Sequence, residues 1–160
     1  MCPERAGDGR SARATARRPG QVNSARRRKA RELLVQALYA HRVGGVALSD
    51  AIVDQVERRR PHAESLQYVR ELQEFLDGQL ARLDGLIDEK LETRSPERVG
   101  QVERAILQIG IVELLHRPDV PIGVIIDESA HLVRTFTGEG SVGFVHALLD
   151  KVGQDVRGDG

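Results

Sequence analysis

Residues 101–117 read QVERAILQIGIVELLHR, and Val102, Ala105, Ile106, Leu107, Ile109, Ile111, Val112, Leu114 and Leu115 all fall within them. At about 100° per residue these apolar positions cover most of a helical circumference and not one stripe. A helix that is greasy nearly all round cannot rest on a surface. Other helices must surround it, so this segment alone demands a helical bundle with residues 101–117 at its centre.

The rest of the chain supplies those helices. A first helix begins at Asn23 or Ser24, either of which can cap it, and ends at Gly44–Gly45. Ala30, Leu33, Leu34, Ala37 and Leu38 give it the i, i+3, i+4, i+7, i+8 spacing of a core-facing stripe. A short second helix follows a Ser49 cap and stops before Pro61. Residues 63–92 form a long helical region on Leu66, Val69, Leu72, Leu76, Leu80, Leu83, Leu86 and Ile87, with Gly85 as the place for a break. RSPERVG, with Pro96, is a connector. After the central helix, PDVP at 118–121 is a turn, and Pro121 suits the first position of a helix carrying Ile122, Ile125, Ile126, Ala130 and Val133. Ser141 can cap a last helix holding Val145, Leu148, Leu149 and Val152. No segment alternates with period two, so the expectation is an all-α fold of six or seven helices.

Composition agrees with this fold. A chain of 160 residues with 40% hydrophobic content has the size of one ordinary domain. With no Trp, two Tyr and three Phe, its core must be aliphatic, which favours helix over sheet. Residues 1–22 carry small residues, Arg, Gly and Pro without periodicity, and read as a disordered basic arm before a single helical domain at 23–156. Cys2 is the sole cysteine, so no internal disulfide forms. No apolar run approaches the ~20 residues of a membrane span, and a cytoplasmic protein is the plain reading.

The net charge of zero conceals a division. Residues 1–31 hold ten Lys or Arg against Glu4 and Asp8, a charge of +8, and the remaining 129 residues carry −8. A basic arm on an acidic body suits a polyanionic partner for the arm, although a solvated tail has the same composition. The basic run does not stop at the arm: SARRRKARELLVQALYAHR at 24–42 carries it into the first amphipathic helix. On a helical wheel, Arg28, Arg31, Val35, Tyr39 and Arg42 share a second face, spanning about 80° and separate from the core stripe. Guanidinium forks grip phosphates, and an aromatic beside them offers a stacking surface, so this face is a candidate for oriented nucleic-acid recognition.

Other signals carry little. GEGSVG at 138–143 matches G-x-G-x-x-G literally, but a helix precedes it and no ribose-binding acid follows about 20 residues on. The five histidines have no i, i+4 pairing and no cysteine companion, so no metal site is expected. Asp127 and Glu128 are adjacent on a helix and diverge, and no nucleophile has an attendant base. Neither a cofactor nor an enzymatic activity is expected. Glu103 reads as an early-helix acid favoured by the dipole.

Four stretches, ARRRKARELLVQALY at 25–39, LDGLIDEKL at 83–91, VERAILQIGIVELLHRPDVPIGVIIDES at 102–129 and FVHALLDKV at 144–152, resemble the NusB transcription antitermination family. The resemblance implies two three-helix subdomains in one unit. It also implies a factor that pairs with ribosomal protein NusE, binds boxA RNA and helps RNA polymerase read through terminators, notably in ribosomal RNA operons. Carried over by position, Arg27, Arg28, Lys29, Arg31, Ser141 and Phe144 would meet RNA, and Tyr39, Glu97 and Glu103 would face NusE. The chain departs from the family pattern at Gly140, Val142, Gly143 and His146, which removes polar groups from one edge of the implied RNA site. Either affinity moves onto the basic arm or sequence specificity weakens. Two other readings use the same residues: an RNA-binding module related to the N-terminal domains of ribosomal RNA cytosine methyltransferases, and a self-associating helical homodimer.

Overall fold

The computed structural model describes residues 23–158, so the expected disordered arm lies outside the described residues. Among the described residues seven α-helices follow in order: α1 Ser24–Gly44, α2 Leu48–Arg59, α3 Ala63–Leu76, α4 Leu80–Glu89, α5 Gln101–His116, α6 Ile122–Phe136 and α7 Val142–Arg157. Short 3-10 turns at Pro96–Arg98 and Glu139–Ser141 lead into α5 and α7. No strand occurs among the described residues.

The central position expected for 101–117 is realised. Helix α5 packs against α1, α3, α4, α6 and α7, and Ile106, Leu107, Ile109, Ile111 and Leu114 are buried. Leu115, expected in the core, is instead 43% exposed, although Glu113 and Leu114 beside it in the last turn of α5 are buried. Helices α1, α2 and α3 form one three-helix group and α5, α6 and α7 another, joined where α1 and α3 meet α5, with α4 resting on α5.

Helix boundaries follow local chemistry. Asn23 caps α1 by accepting from the Ala25 N–H at 2.7 Å, and Gly45 ends it at φ 75°, a left-handed conformation that costs glycine little. Helix α2 starts one residue before Ser49, which lies inside it and does not cap. The 63–92 region breaks at 77–79 and not at Gly85: Gly78 takes φ 74°, whereas Gly85 lies within α4. Pro121 is the residue preceding α6 and not its first. At the end of α7, Arg157 donates to the carbonyls of Glu113, Leu114, Arg117 and Val120 at 2.6 to 3.1 Å, tying α7 to the C-terminus of α5 and the turn after it.

Candidate nucleic-acid interface

The first turn of α1 carries no acid, and bases beside the positive end of a helix dipole are unfavourable. Carboxylates answer each base of this run, those of the three arginines coming from other segments and that of Lys29 from α1 itself. Arg26 lies 3.7 Å from Glu64, Arg27 donates to Asp119 of the α5–α6 turn at 3.3 Å, and Lys29 lies 3.6 Å from Glu32. Arg28 grips Glu128 of α6 with both Nε and Nη2, at 3.0 and 2.9 Å. This paired geometry is the strong form of the arginine–carboxylate bond. It holds the Glu128 carboxyl below its ordinary range, against the opposing effect of burial, with Arg31 adding to the effect.

Arg31 requires a correction. It is 2% exposed and donates to Glu113 of α5 at 2.7, 3.0 and 3.1 Å. Burial opposes its charge, but the Glu113 carboxylate outweighs that and raises the guanidinium's hold on its proton. The Tyr68 hydroxyl donates to the same carboxylate, and burial followed by the Glu113 charge pushes its pKa upward. Three cations gather at one ring: the guanidiniums of Arg27, Arg31 and Arg117 lie 4.8, 5.6 and 5.0 Å from the Tyr68 ring centroid. Arg31 is therefore an interior residue and does not present its fork to phosphates. Val35 is 1% exposed, and Arg42 turns inward to Asp84 at 3.0 Å and Gln101 at 2.7 Å. Of the five residues on the expected second face, only Arg28 and Tyr39 are exposed, while Arg31 and Val35 are buried and Arg42 is half-buried.

Tyr39 is 44% exposed and opens onto a surface hollow of about 410 Å³ that it lines with Val35, Gln36, Asp54, Val102 and Phe136. Next to Val102 lies Glu103, 6% exposed. Its carboxylate accepts from the Gly100 N–H at 2.8 Å, from Arg94 at 3.1 Å and from the Ser141 hydroxyl. Burial raises its pKa, and the Ser141, Gly100 and Arg94 bonds together prevail and lower it. The early-helix reading of Glu103 matches the Gly100 bond, while a carboxylate so enclosed offers little to a partner. Ser141 precedes α7 as expected but does not cap it, since Glu103 takes its hydroxyl. Glu97 is exposed on the Pro96–Arg98 turn. Arg94 lies 3.9 Å over the centroid of Phe144, which is half-buried at the start of α7.

These contacts form one run. Arg28 meets Glu128, Glu32 lies 3.7 Å from His131, and Tyr39 shares a hollow with Phe136, so α1 and α6 run side by side in the same direction. From there Val102, Glu103, Ser141 and Arg94 lead to Phe144. Arg94, Asp119 and Glu128 were not singled out from sequence as members of this face. Arg94 sits in a connector without periodicity, and the two acids become relevant only once α5 and α6 fold back on α1. Among the described residues no group of three His, Cys, Asp or Glu side chains is placed to hold a metal, and no helix is long and apolar enough to cross a membrane.

Comparison with known proteins places the chain in a family and the fold among solved structures. A profile of the NusB family matches residues 28–154. The transcription antitermination protein NusB of Photorhabdus laumondii is 39% identical over 136 residues, covering 85% of this chain and 98% of that protein. Its counterpart from Yersinia pestis strain Pestoides F is 40% identical over the same coverage. The structure of Thermotoga maritima NusB (T. maritima) superposes with a TM-score of 0.73 at 27% identity, covering 81% of this chain and 91% of that one. A crystal structure of antitermination factors NusB and NusE with double-stranded RNA has the same fold, with a TM-score of 0.75 at 22% identity and coverage of 83% and 99%. Matched along most of its length by both sequence and fold, the chain belongs to the NusB family.

Proposed function

We propose that this chain is a transcription antitermination factor that binds boxA-type RNA together with ribosomal protein NusE, in the cytoplasm, as part of an RNA polymerase complex reading through terminators in ribosomal RNA operons. Its role is binding and not catalysis. The observation that carries this reading is the contact run from Arg28 to Phe144, with exposed basic groups at one end and an arginine-backed ring at the other. Arg27, Arg28 and Lys29 meet phosphates, Phe144 stacks on a base, and Ser141 and Arg94 hold the ring's surroundings. Tyr39 and Glu97 face NusE, with Glu103 behind them. The relatives, matched over 98% of their length, are named as antitermination proteins, which favours this role over a methyltransferase module.

The test is a titration of boxA-type RNA with and without NusE across salt concentrations. Affinity should fall steeply with salt, with a slope of about −0.7 per phosphate neutralised on a single strand, and should rise when NusE is present. An affinity indifferent to both salt and NusE rejects the reading. Light scattering of the free chain distinguishes a monomer from a homodimer that masks the face.

A further inference from the structure

The arginines that this reading assigns to phosphates are already occupied by carboxylates. Glu128 receives Nε and Nη2 of Arg28 at 3.0 and 2.9 Å, which is the paired arrangement a phosphate would use. Asp119 accepts from Arg27 at 3.3 Å. Both acids are themselves anchored from behind. Glu128 lies 3.6 Å from Nη1 of buried Arg31, and its side chain is only 14% exposed, against 44% for Arg28. Asp119 is held in a fork by Arg117, with both bonds at 3.0 Å. Each acid thus bridges two arginines: Arg31 behind Glu128 is buried, whereas Arg117 and Arg27 on either side of Asp119 are about equally enclosed, with 18% and 17% of their side chains exposed.

We infer that Glu128 and Asp119 are internal counter-ions that occupy the RNA-facing arginines and set how strongly this face attracts polyphosphates. This rests on the RNA-binding reading above. Because the acids are fixed, an arriving strand must draw Arg28 and Arg27 away from them. Each phosphate contact replaces an existing ion pair instead of adding to a free charge. The face is thereby close to neutral towards any single phosphate. It binds well only when several contacts and the Phe144 stack form together, which suppresses attachment to arbitrary RNA.

The experiment compares the full chain with Glu128→Gln, Asp119→Asn and the double variant, using anisotropy titrations of oligouridylate and, separately, of heparin, a polyanion without bases. Asp150→Asn, an exposed acid on α7, controls for net charge. Since partly exposed ion pairs are worth little, each single variant should gain about three- to fivefold on both probes. Asp150→Asn should gain far less. Unchanged or weaker binding by both folded variants, or an equal gain from Asp150→Asn, overturns the inference. A gain on heparin with no oligouridylate or boxA-type binding by any form rejects the RNA reading while the counter-ion role stands. Should Glu128→Gln fail to fold, Asp119→Asn, whose acid side chain is 52% exposed, decides the matter.

Discussion

Arg31 and Glu113 stand 82 positions apart in sequence and meet inside the protein, with three guanidinium–carboxylate contacts of 2.7, 3.0 and 3.1 Å. The pair ties the basic helix α1 to the central helix α5. It thereby sets the direction in which the neighbouring Arg27, Arg28 and Lys29 leave the surface.

Arg31→Ala leaves Glu113 buried and short of its charge partner. Breaking a buried pair on one side costs about 3–5 kcal/mol, whereas Arg28→Ala, at the surface, should cost under about 1 kcal/mol. Urea unfolding measures both. Equal losses would mean that Arg31 does not play this interior role. For RNA the order reverses, and Arg28→Ala should weaken binding and flatten the salt slope without loss of fold.

Two helical glycines should respond in opposite directions to alanine. A Cβ on Gly110 would lie 3.0 Å from both terminal methyls of Leu149 and 3.3 Å from the Ser129 hydroxyl, at the close approach of α5 to α7. Overpacking of this kind costs about 1–3 kcal/mol. Gly85 is exposed within α4 with nothing within 4 Å of its Cβ position. Gly85→Ala should therefore stabilise by about 0.5–1 kcal/mol. Thermal melts of the two variants should move apart, and a Gly110→Ala protein as stable as the parent would refute the tight α5–α7 packing.

Acid should destabilise the protein through Glu103, Asp119 and Glu128. The carboxyls of all three titrate below their ordinary values in the folded state. A depressed carboxyl contributes stability that is fully present above its unfolded pKa and is lost as pH falls through its folded pKa. Urea midpoints should thus hold steady down to the ordinary carboxylate range, 4.5 for a glutamate, and decline below it. Glu128→Gln should shallow that decline. A variant with the parent's acid profile would show that the Arg28 pair does not contribute.

Phe144→Ala should lose about 1–3 kcal/mol of RNA affinity if the ring stacks on a base. Arg94 already covers one face of the ring at 3.9 Å, so a base takes the other. Arg94→Lys keeps the charge but not the planar stack and should retain only part of the affinity. Unaltered binding by folded Phe144→Ala would remove the ring from the interface.

The parts of this protein that were legible in its sequence are those set by short-range pattern. The encirclement of 101–117, the Asn23 cap, the Gly44–Gly45 stop and the core stripe of α1 all depend on residues a few positions apart, where periodicity and backbone preference act directly. The break between α3 and α4 was misplaced because Gly78 and Gly85 look alike in a list of residues. Only the first adopts a positive φ.

The candidate site was legible in kind and not in arrangement. That basic groups and one tyrosine lie on an amphipathic helix follows from the order of residues 24–42. Which of them reach solvent was decided by how the neighbouring helices pack around α1. Arg31 and Val35 fell inward and Arg42 turned to Asp84, while Arg94, Asp119 and Glu128 arrived from segments remote in the chain. A helical wheel assigns angles but does not say how many neighbours surround the helix. The sequence by itself determined six or seven amphipathic or apolar rods and their charges; the tertiary structure alone decided which charges cancel in the interior and which remain for a partner, because ion pairing depends on distances through space that only packing sets.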